Sequence, residues 1–328
     1  MEYEYLSEQS TISINKLLGE GSTSHVYQCS LNNHQYAIKL LKDLPSTKSS
    51  FLQETQSLNE INHPNITNLI NSGISKVQIN NEIVERPYII LDYAEKGELF
   101  NYIYHPKKGF TEKQARYLFK QILLAIQYCH SNNIAHLDLK TENIMLDSNW
   151  NIKLSDFGLS VLTEDKNEYI NTFMGTESFL APEIINKKPY DPFKADIFAL
   201  GVTLFIILSG NPPFKSARRF DIHYQYYIKN RVDLFWKIIR KNVSLSNEAI
   251  ELLNQMFEPD PTMRIRIEDI LNHPWMNMES STEDEMKNEF EEREKLINEK
   301  IKNNNMMEKD EPPFFKLTIN YQNLEHSN

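Results

Sequence analysis

The chain has 328 residues, 40% of them apolar, and a formal net charge of −10. That length suits about two domains, or one two-lobed unit with a tail, and the charge argues against a nucleic-acid binder held by phosphate contacts while remaining compatible with cationic substrates. Two cysteines, Cys29 and Cys129, are too few for a disulfide framework; they point to a reducing, intracellular compartment, with the cytoplasm preferred to the nucleus.

The acidic start, residues 1–9, has no apolar signal core. Residues 12–40 read as strand, glycine turn, strand, turn, strand. Leu17-Leu18-Gly19-Glu20-Gly21-Ser22-Thr23-Ser24-His25-Val26 carries the pattern G-x-G-x-x-S, and glycine lets a backbone approach phosphate oxygens without a Cβ in the way. A lone G-x-G is also what any turn between strands uses. A helical stretch covers 48–58. Residues 71–86 are polar and read as a strand pair with a loose loop. Residues 88–93 (YIILDY) form an apolar strand, so a domain junction is expected near 93–96. Thr111 and Gln114 form a capping box ahead of Ala115, Leu118, Phe119, Ile122, Leu123 and Ile126, which recur at helical spacing. The longest apolar run, 197–208, is twelve residues, too short to span a bilayer and better read as a buried helix. No membrane and no nucleic acid are expected as partners.

The stretch 133–158 carries the chemistry. Two short apolar runs, 143–146 and 152–154, flank the turn-rich 147–151, which reads as a β-hairpin. A hairpin returns the chain beside its start, so Asn143 and Asp156 fall at the same open end. An amide oxygen beside a carboxylate suits a hard cation such as Mg2+, which keeps phosphate oxygens or water in its other positions. Asp138 and Lys140 lie just before. One carboxylate, one ammonium and two oxygen ligands within a hairpin's reach fit a site that moves a phosphoryl group.

The octapeptide His136-Leu137-Asp138-Leu139-Lys140-Thr141-Glu142-Asn143 resembles the catalytic loop of protein kinases, and Asp156-Phe157-Gly158 the metal-binding motif that follows it. Tyr36-Ala37-Ile38-Lys39 is similar to the family's strand-three lysine motif, and Ala181-Pro182-Glu183 to the close of its activation segment. The resemblance covers about residues 12–276, up to His273-Pro274-Trp275, and looks closest to the calmodulin-dependent and related kinases of serine/threonine type. It implies an α+β, bilobal fold. A small β-rich N-lobe with one key helix would take about 12–93, and a larger, mainly α-helical C-lobe about 94–276. Residues 1–11 would be an extension.

The same resemblance assigns roles. Asp138 would orient the acceptor hydroxyl and take its proton, and Lys140 would neutralise the γ-phosphate of ATP. Lys39, held by Glu54, would grip the α- and β-phosphates; a solvated helix glutamate is the alternative for Glu54. Asn143 and Asp156 would hold Mg2+. Leu18, Gly19, Glu20, Gly21, Ser22, Val26, Ala37 and Met145 would surround the nucleotide, with Leu91 as gatekeeper. Asp92 to Ala94 would bind adenine through their backbone, and Glu98 would meet ribose or a basic substrate residue. Glu183 would pair with Arg264. Asp196 is read as a carboxylate at the N-terminus of the buried helix, accepting N–H groups of the catalytic loop, with Phe198 where the family has tryptophan. Thr176 and Lys140 favour serine/threonine acceptors on protein substrates.

Two departures stand out. Ser24 replaces the third family glycine. Leu137 stands where many members have the arginine that grips a phosphate on the activation segment, so activity is expected to depend little on phosphorylation of Thr172. Glu98 and Glu142 suggest a preference for basic residues near the acceptor, softened by Ile206 where strongly basophilic relatives carry a carboxylate. Two other classes compete: a pseudokinase acting as a scaffold, and a small-molecule kinase, against which the 181–183 segment and the helices after it argue. Residues 277–328 are an acidic tail. Met286, Phe290, Ile297 and Ile301 follow a 4-7-4 spacing, giving one amphipathic helix of about twenty residues before Pro312-Pro313-Phe314-Phe315 breaks it. That helix would dock on the larger lobe or bind a partner; a disordered acidic tail is the competing reading.

Overall fold

In the computed structural model, residues 9–31, 34–45, 47–79, 82–303 and 316–320 are described. They form two compact units. The first takes the described residues of 1–59, 67–93 and 307–328, the second those of 60–66 and 94–306.

The first unit is built on an antiparallel sheet of β1 (Gln9–Glu20), β2 (Ser24–Leu31), β3 (His34–Leu41), β4 (Leu69–Ile79) and β5 (Glu82–Asp92), with α1 (Thr47–Asn59) between β3 and β4. Residues 71–86, expected as a strand pair, belong to the two longest strands after β1; the turn between them, 80–81, lies outside the described residues. Period-two burial places Tyr27, Cys29 and Leu31 of β2, Ile38 and Leu40 of β3, and Tyr88 and Ile90 of β5 in one apolar cluster.

The second unit begins with β6 (Gly97–Glu98), α2 (Leu99–Tyr104) and α3 (Glu112–Ser131), whose Thr111–Gln114 capping box is formed reciprocally. Short strands β7 (Ile134–Ala135), β8 (Ile144–Leu146), β9 (Ile152–Leu154) and β10 (Val161–Leu162) follow, β8 and β9 making the hairpin. Helices α4 (Pro182–Ile185), α5 (Pro192–Ser209), α6 (Gln225–Ile228), α7 (Val232–Ile239), α8 (Asn247–Met256) and α9 (Ile267–Leu271) complete the body. The centre is α5. It is long and apolar enough to cross a bilayer by length and composition, but 83% of it is buried within the protein. Gly201 lets α8 come close: a Cβ there would lie 2.9 Å from Met256 Cβ. The sequence expectation for its start needs correcting. The helix begins at Pro192, capped by Asp191, whose carboxylate accepts from the N–H groups of Phe193 and Lys194. Asp196 therefore lies inside the helix, not at its N-terminus. The Asp-Pro start is a regular capping pattern that a search for apolar runs passes over. Glu183 and Arg264 make a two-bonded buried pair at 2.7 and 3.0 Å.

The tail does not stand apart. Residues Glu283–Asn303 form α10, packed on α2 and the loop after it. Phe290 stacks flat on Trp150 at the tip of the β8–β9 hairpin and meets Tyr102 and Phe110 edge-on. Arg293 is 2% exposed, and its guanidinium donates to the carbonyls of Tyr102, Lys108 and Gly109 and to Glu289, above the Phe110 ring. The 4-7-4 spacing skipped this position because it counted only apolar residues; 286, 290, 293 and 297 form the actual inward stripe. Ile301's side chain and residues 312–315 lie outside the described residues. After α10, β11 (Lys316–Asn320) returns to the first unit and pairs with β1 (Gln9↔Asn320) and β4 (Leu317↔Val77). Without it the order β1-β2-β3-β5-β4 is open; β11 closes the strand order into a barrel, meeting β1 at 9–13 and β4 at Lys76 and Val77.

Replacing Arg293 by alanine strands the buried Tyr102 carbonyl and the half-buried contacts to Lys108 and Gly109, and removes the packing on Phe110. Urea unfolding of Arg293→Ala is expected to show a loss of about 2–4 kcal/mol; a change below the scatter of a surface substitution would mean that α10 adds nothing to the unit.

Candidate active site

In the first unit, β3 and α1 bring Lys39 and Glu54 together. Lys39 Nζ lies 2.6 Å from Glu54 Oε2, and Glu54 has no exposure to solvent. Lys39 faces Val26 across the β2–β3 ladder and Ile89 across β3–β5, which fixes the stem of the side chain. A long ammonium side chain needs such walls to keep one rotamer. Ala37 sits opposite Leu91. Leu18, Gly19, Glu20 and Gly21 are exposed, and Ser22 lies in the turn between β1 and β2. That turn is closed by Gly21 N–H donating to Ser24 O at 2.8 Å, while Lys42 reaches Glu20 and the Gly21 carbonyl at 3.1 and 2.8 Å. Ser24, the replacement for the third glycine, is buried in β2. Asp92 is fixed by Asn68, which donates from both its backbone and its side-chain amide to the carboxylate. Lys42 and Asn68 were not singled out in the sequence, and nothing in their surroundings there marks them.

In the second unit, Asp138 is the hub. It is 7% exposed. Its Oδ1 accepts from the Thr176 hydroxyl at 2.8 Å and the Thr176 N–H at 3.1 Å; its Oδ2 accepts from Lys140 Nζ at 2.6 Å and Asn143 Nδ2 at 2.9 Å. Lys140 also donates to the Thr176 hydroxyl at 2.9 Å. A buried carboxylate keeps its charge at tolerable cost when it is so surrounded.

Asn143 donates its amide hydrogens to Asp138 O and Oδ2. Its amide oxygen is thus the atom turned toward any cation. Ser155 N–H and hydroxyl both donate to Asn143 O, at 2.9 and 3.0 Å, so Asp156 follows directly on the residue paired with Asn143. The hairpin brings the two expected metal ligands to one end. Asp156 has φ +60° and Leu137 φ +62°, a region few non-glycine residues enter.

His136 links the two loops. Its Nδ1 accepts the Asp138 N–H at 3.2 Å, so Nε2 carries the hydrogen and donates to Ser155 O at 3.0 Å; its ring also packs on Phe157 at 4.8 Å. Asp196 lies beneath, accepting from the N–H groups of His136 and Leu137, both at 2.8 Å, with His130 Nε2 at 2.9 Å.

Met145 pairs with Glu98 across β6–β8, and Ala94 is buried at the start of the unit. Burial pushes the Glu98 carboxyl above the usual range; the Glu142 carboxylate adds to the rise and Lys140 offsets it. Among the described residues, no cluster of three His, Cys, Asp or Glu side chains could hold a metal by itself. The Asn143–Asp156 pair would supply two oxygen ligands and leave the rest to phosphate or water, the arrangement Mg2+ favours.

The sequence matches the protein kinase domain over residues 12–276. It is 35% identical over 278 residues to a CBL-interacting protein kinase 10 of Oryza sativa subsp. japonica, covering 81% of this chain and 56% of that protein. It is 37% identical to the SNF1-related protein kinase catalytic subunit alpha KIN12 of Arabidopsis thaliana, covering 80% and 51%, and 34% identical to the probable serine/threonine-protein kinase MARK-A of Dictyostelium discoideum, covering 83% and 25%. The chain thus spans about half the length of the first two of these relatives, or less for the third. The match over most of its length shows that the chain belongs to the protein kinase family.

Proposed function

We propose that this chain transfers the γ-phosphoryl group of ATP to serine or threonine hydroxyls of protein substrates. The observation that carries this reading is the Thr176 hydroxyl held on Asp138 Oδ1 with the Lys140 ammonium bridging both. A carboxylate that accepts a hydroxyl beside a cation is equipped to orient an acceptor alcohol. In the transfer, the acceptor O–H proton passes to Asp138 as the new P–O bond forms. The bond from the γ-phosphorus to the β–γ bridging oxygen breaks, and its electron pair leaves with ADP. A positioned base contributes roughly 10²–10⁴ in rate, and countercharge on the spreading phosphoryl oxygens supplies much of the rest. The ammonium that binds the α- and β-phosphates is Lys39, held by Glu54. Asn143 and Asp156 would hold Mg2+, which supplies countercharge to the phosphates when bound.

Relatives named as serine/threonine kinases support the acceptor class. The pseudokinase reading has no support, since Lys39, Asp138, Asn143 and Asp156 are all present. We assign the tail an intramolecular role, because α10 packs on its own unit. A cytoplasmic, reducing setting is proposed from the two free, buried cysteines.

The Glu98–Glu142 pair supports a soft preference for arginine or lysine near the acceptor. Because Glu98 is pushed up, it loses its charge early as pH falls, and a cationic side chain then loses an anionic partner. The ratio of kcat/KM for an arginine-containing peptide to that for its alanine counterpart is expected to fall as pH is lowered toward the carboxylate range, and Glu98→Gln is expected to flatten that fall; an equal fall in the variant would remove Glu98 from substrate choice. The reaction itself is tested with ATP, Mg2+ and a generic basic protein. Asp156→Asn, chosen because asparagine tolerates φ +60°, should lower turnover roughly 10²–10³-fold with unchanged thermal stability. Equal turnover would refute the proposed reaction.

A further inference from the structure

Leu137 leaves the activation segment without the arginine that elsewhere grips its phosphate, yet the segment is held. Ile170 and Tyr190 exchange both backbone hydrogen bonds, at 3.0 and 2.9 Å, in an isolated antiparallel bridge. The Tyr190 hydroxyl donates to the Thr172 carbonyl at 3.0 Å. Tyr190 is 2% exposed, whereas the Thr172 side chain faces solvent. Burial holds the phenol above its ordinary range, so it remains a donor.

The other end of this span is tied to the catalytic loop. A Cβ on Gly175, which has φ +103°, would lie 2.7 Å from the Leu137 carbonyl, so the two backbones touch. Thr176 then bonds Asp138 through both its N–H and its hydroxyl. Tyr190 directly precedes Asp191, the cap of α5, and α5 also carries Asp196, which holds the N–H groups of His136 and Leu137. The first two turns of α5 and the residue just before its cap therefore hold both the segment and the loop that bears the base.

We propose that Tyr190 is the positioning residue that sets residues 170–176 against the catalytic loop, by neutral hydrogen bonds, in place of a phosphate on Thr172. The proposal rests on the serine/threonine kinase reading above and adds how the acceptor-facing segment is ordered. Its reach is limited to the protein acceptor, because the contacts of Tyr190 are with the segment and not with the residues assigned to ATP.

The experiment uses the full chain, treated with a phosphatase, with an arginine-containing serine peptide. Wild-type turnover tests the kinase reading; the Tyr190 result is the ratio to it. Tyr190→Phe removes one hydroxyl and keeps the ring. It is expected to raise the peptide KM about tenfold, the scale of one buried neutral hydrogen bond, while the ATP KM stays unchanged. Thr172→Ala and phosphatase treatment are expected to leave wild-type turnover within about twofold, on the same scale of argument for an exposed side chain. An unchanged peptide KM in Tyr190→Phe, or a fall of ten times or more on removing the Thr172 hydroxyl or its phosphate, overturns the proposal. Hydrogen exchange on the dephosphorylated wild type is independent of how the variant folds. The Ile170 amide is expected to be protected, and exchange at the rate of an open loop overturns the proposal equally.

Discussion

A carboxylate with no solvent exposure, Asp196, holds the catalytic loop in shape. It accepts the N–H groups of His136 and Leu137 and faces His130. A buried anion is tolerable only with such partners, and each charge-assisted bond is worth roughly 1.5–3 kcal/mol. That is the scale of the cost, roughly 1–3 kcal/mol, of keeping a residue such as Leu137 in the left-handed region. The bend at Leu137 in turn aims Asp138 at Thr176 and Lys140. Because α5 is buried along its length, the carboxylate cannot drift without opening the core around it.

The charges about Asp138 are arranged so that none is left to solvent alone. Lys140 and Asn143 share one carboxylate oxygen and Thr176 takes the other. His136 then couples this group to the hairpin through Ser155 and Phe157. The closed end of the same hairpin is covered by Phe290 on Trp150. The chain's acidic tail is thus attached, through aromatic packing, to the element whose open end presents Asn143 and Asp156.

What could be read in the sequence was whatever is local or carried by a motif. The loop around Asp138, the hairpin, the capping box at Thr111 and the partnership of Lys39 with Glu54 rest on short spacings or on the family pattern. The roles of Asn68 and Lys42 were not legible, since a polar residue beside a strand gives no sign of its distant partner. Arg293 was hidden for a different reason. Its stem packs on Phe110 while its head finds backbone carbonyls, so it behaves as a core residue with the letter of a surface one. The left-handed turn at Leu137 could not be foreseen, because leucine has no tendency to enter it and the carboxylate that accepts its N–H, Asp196, lies far along the chain.

The pairing of Gln9 with Asn320 sets an order of events on the ribosome. At roughly 5–20 residues per second, the outer edge of β1 emerges on the order of 15–60 s before the strand that will cover it has been made. During that interval the nascent sheet presents two bare rims, at β1 and β4, of the kind that invite pairing with a neighbouring chain. Pairing of the late-arriving strand with β1 at 9–13 and with β4 at 76–77 is what ends that exposure there.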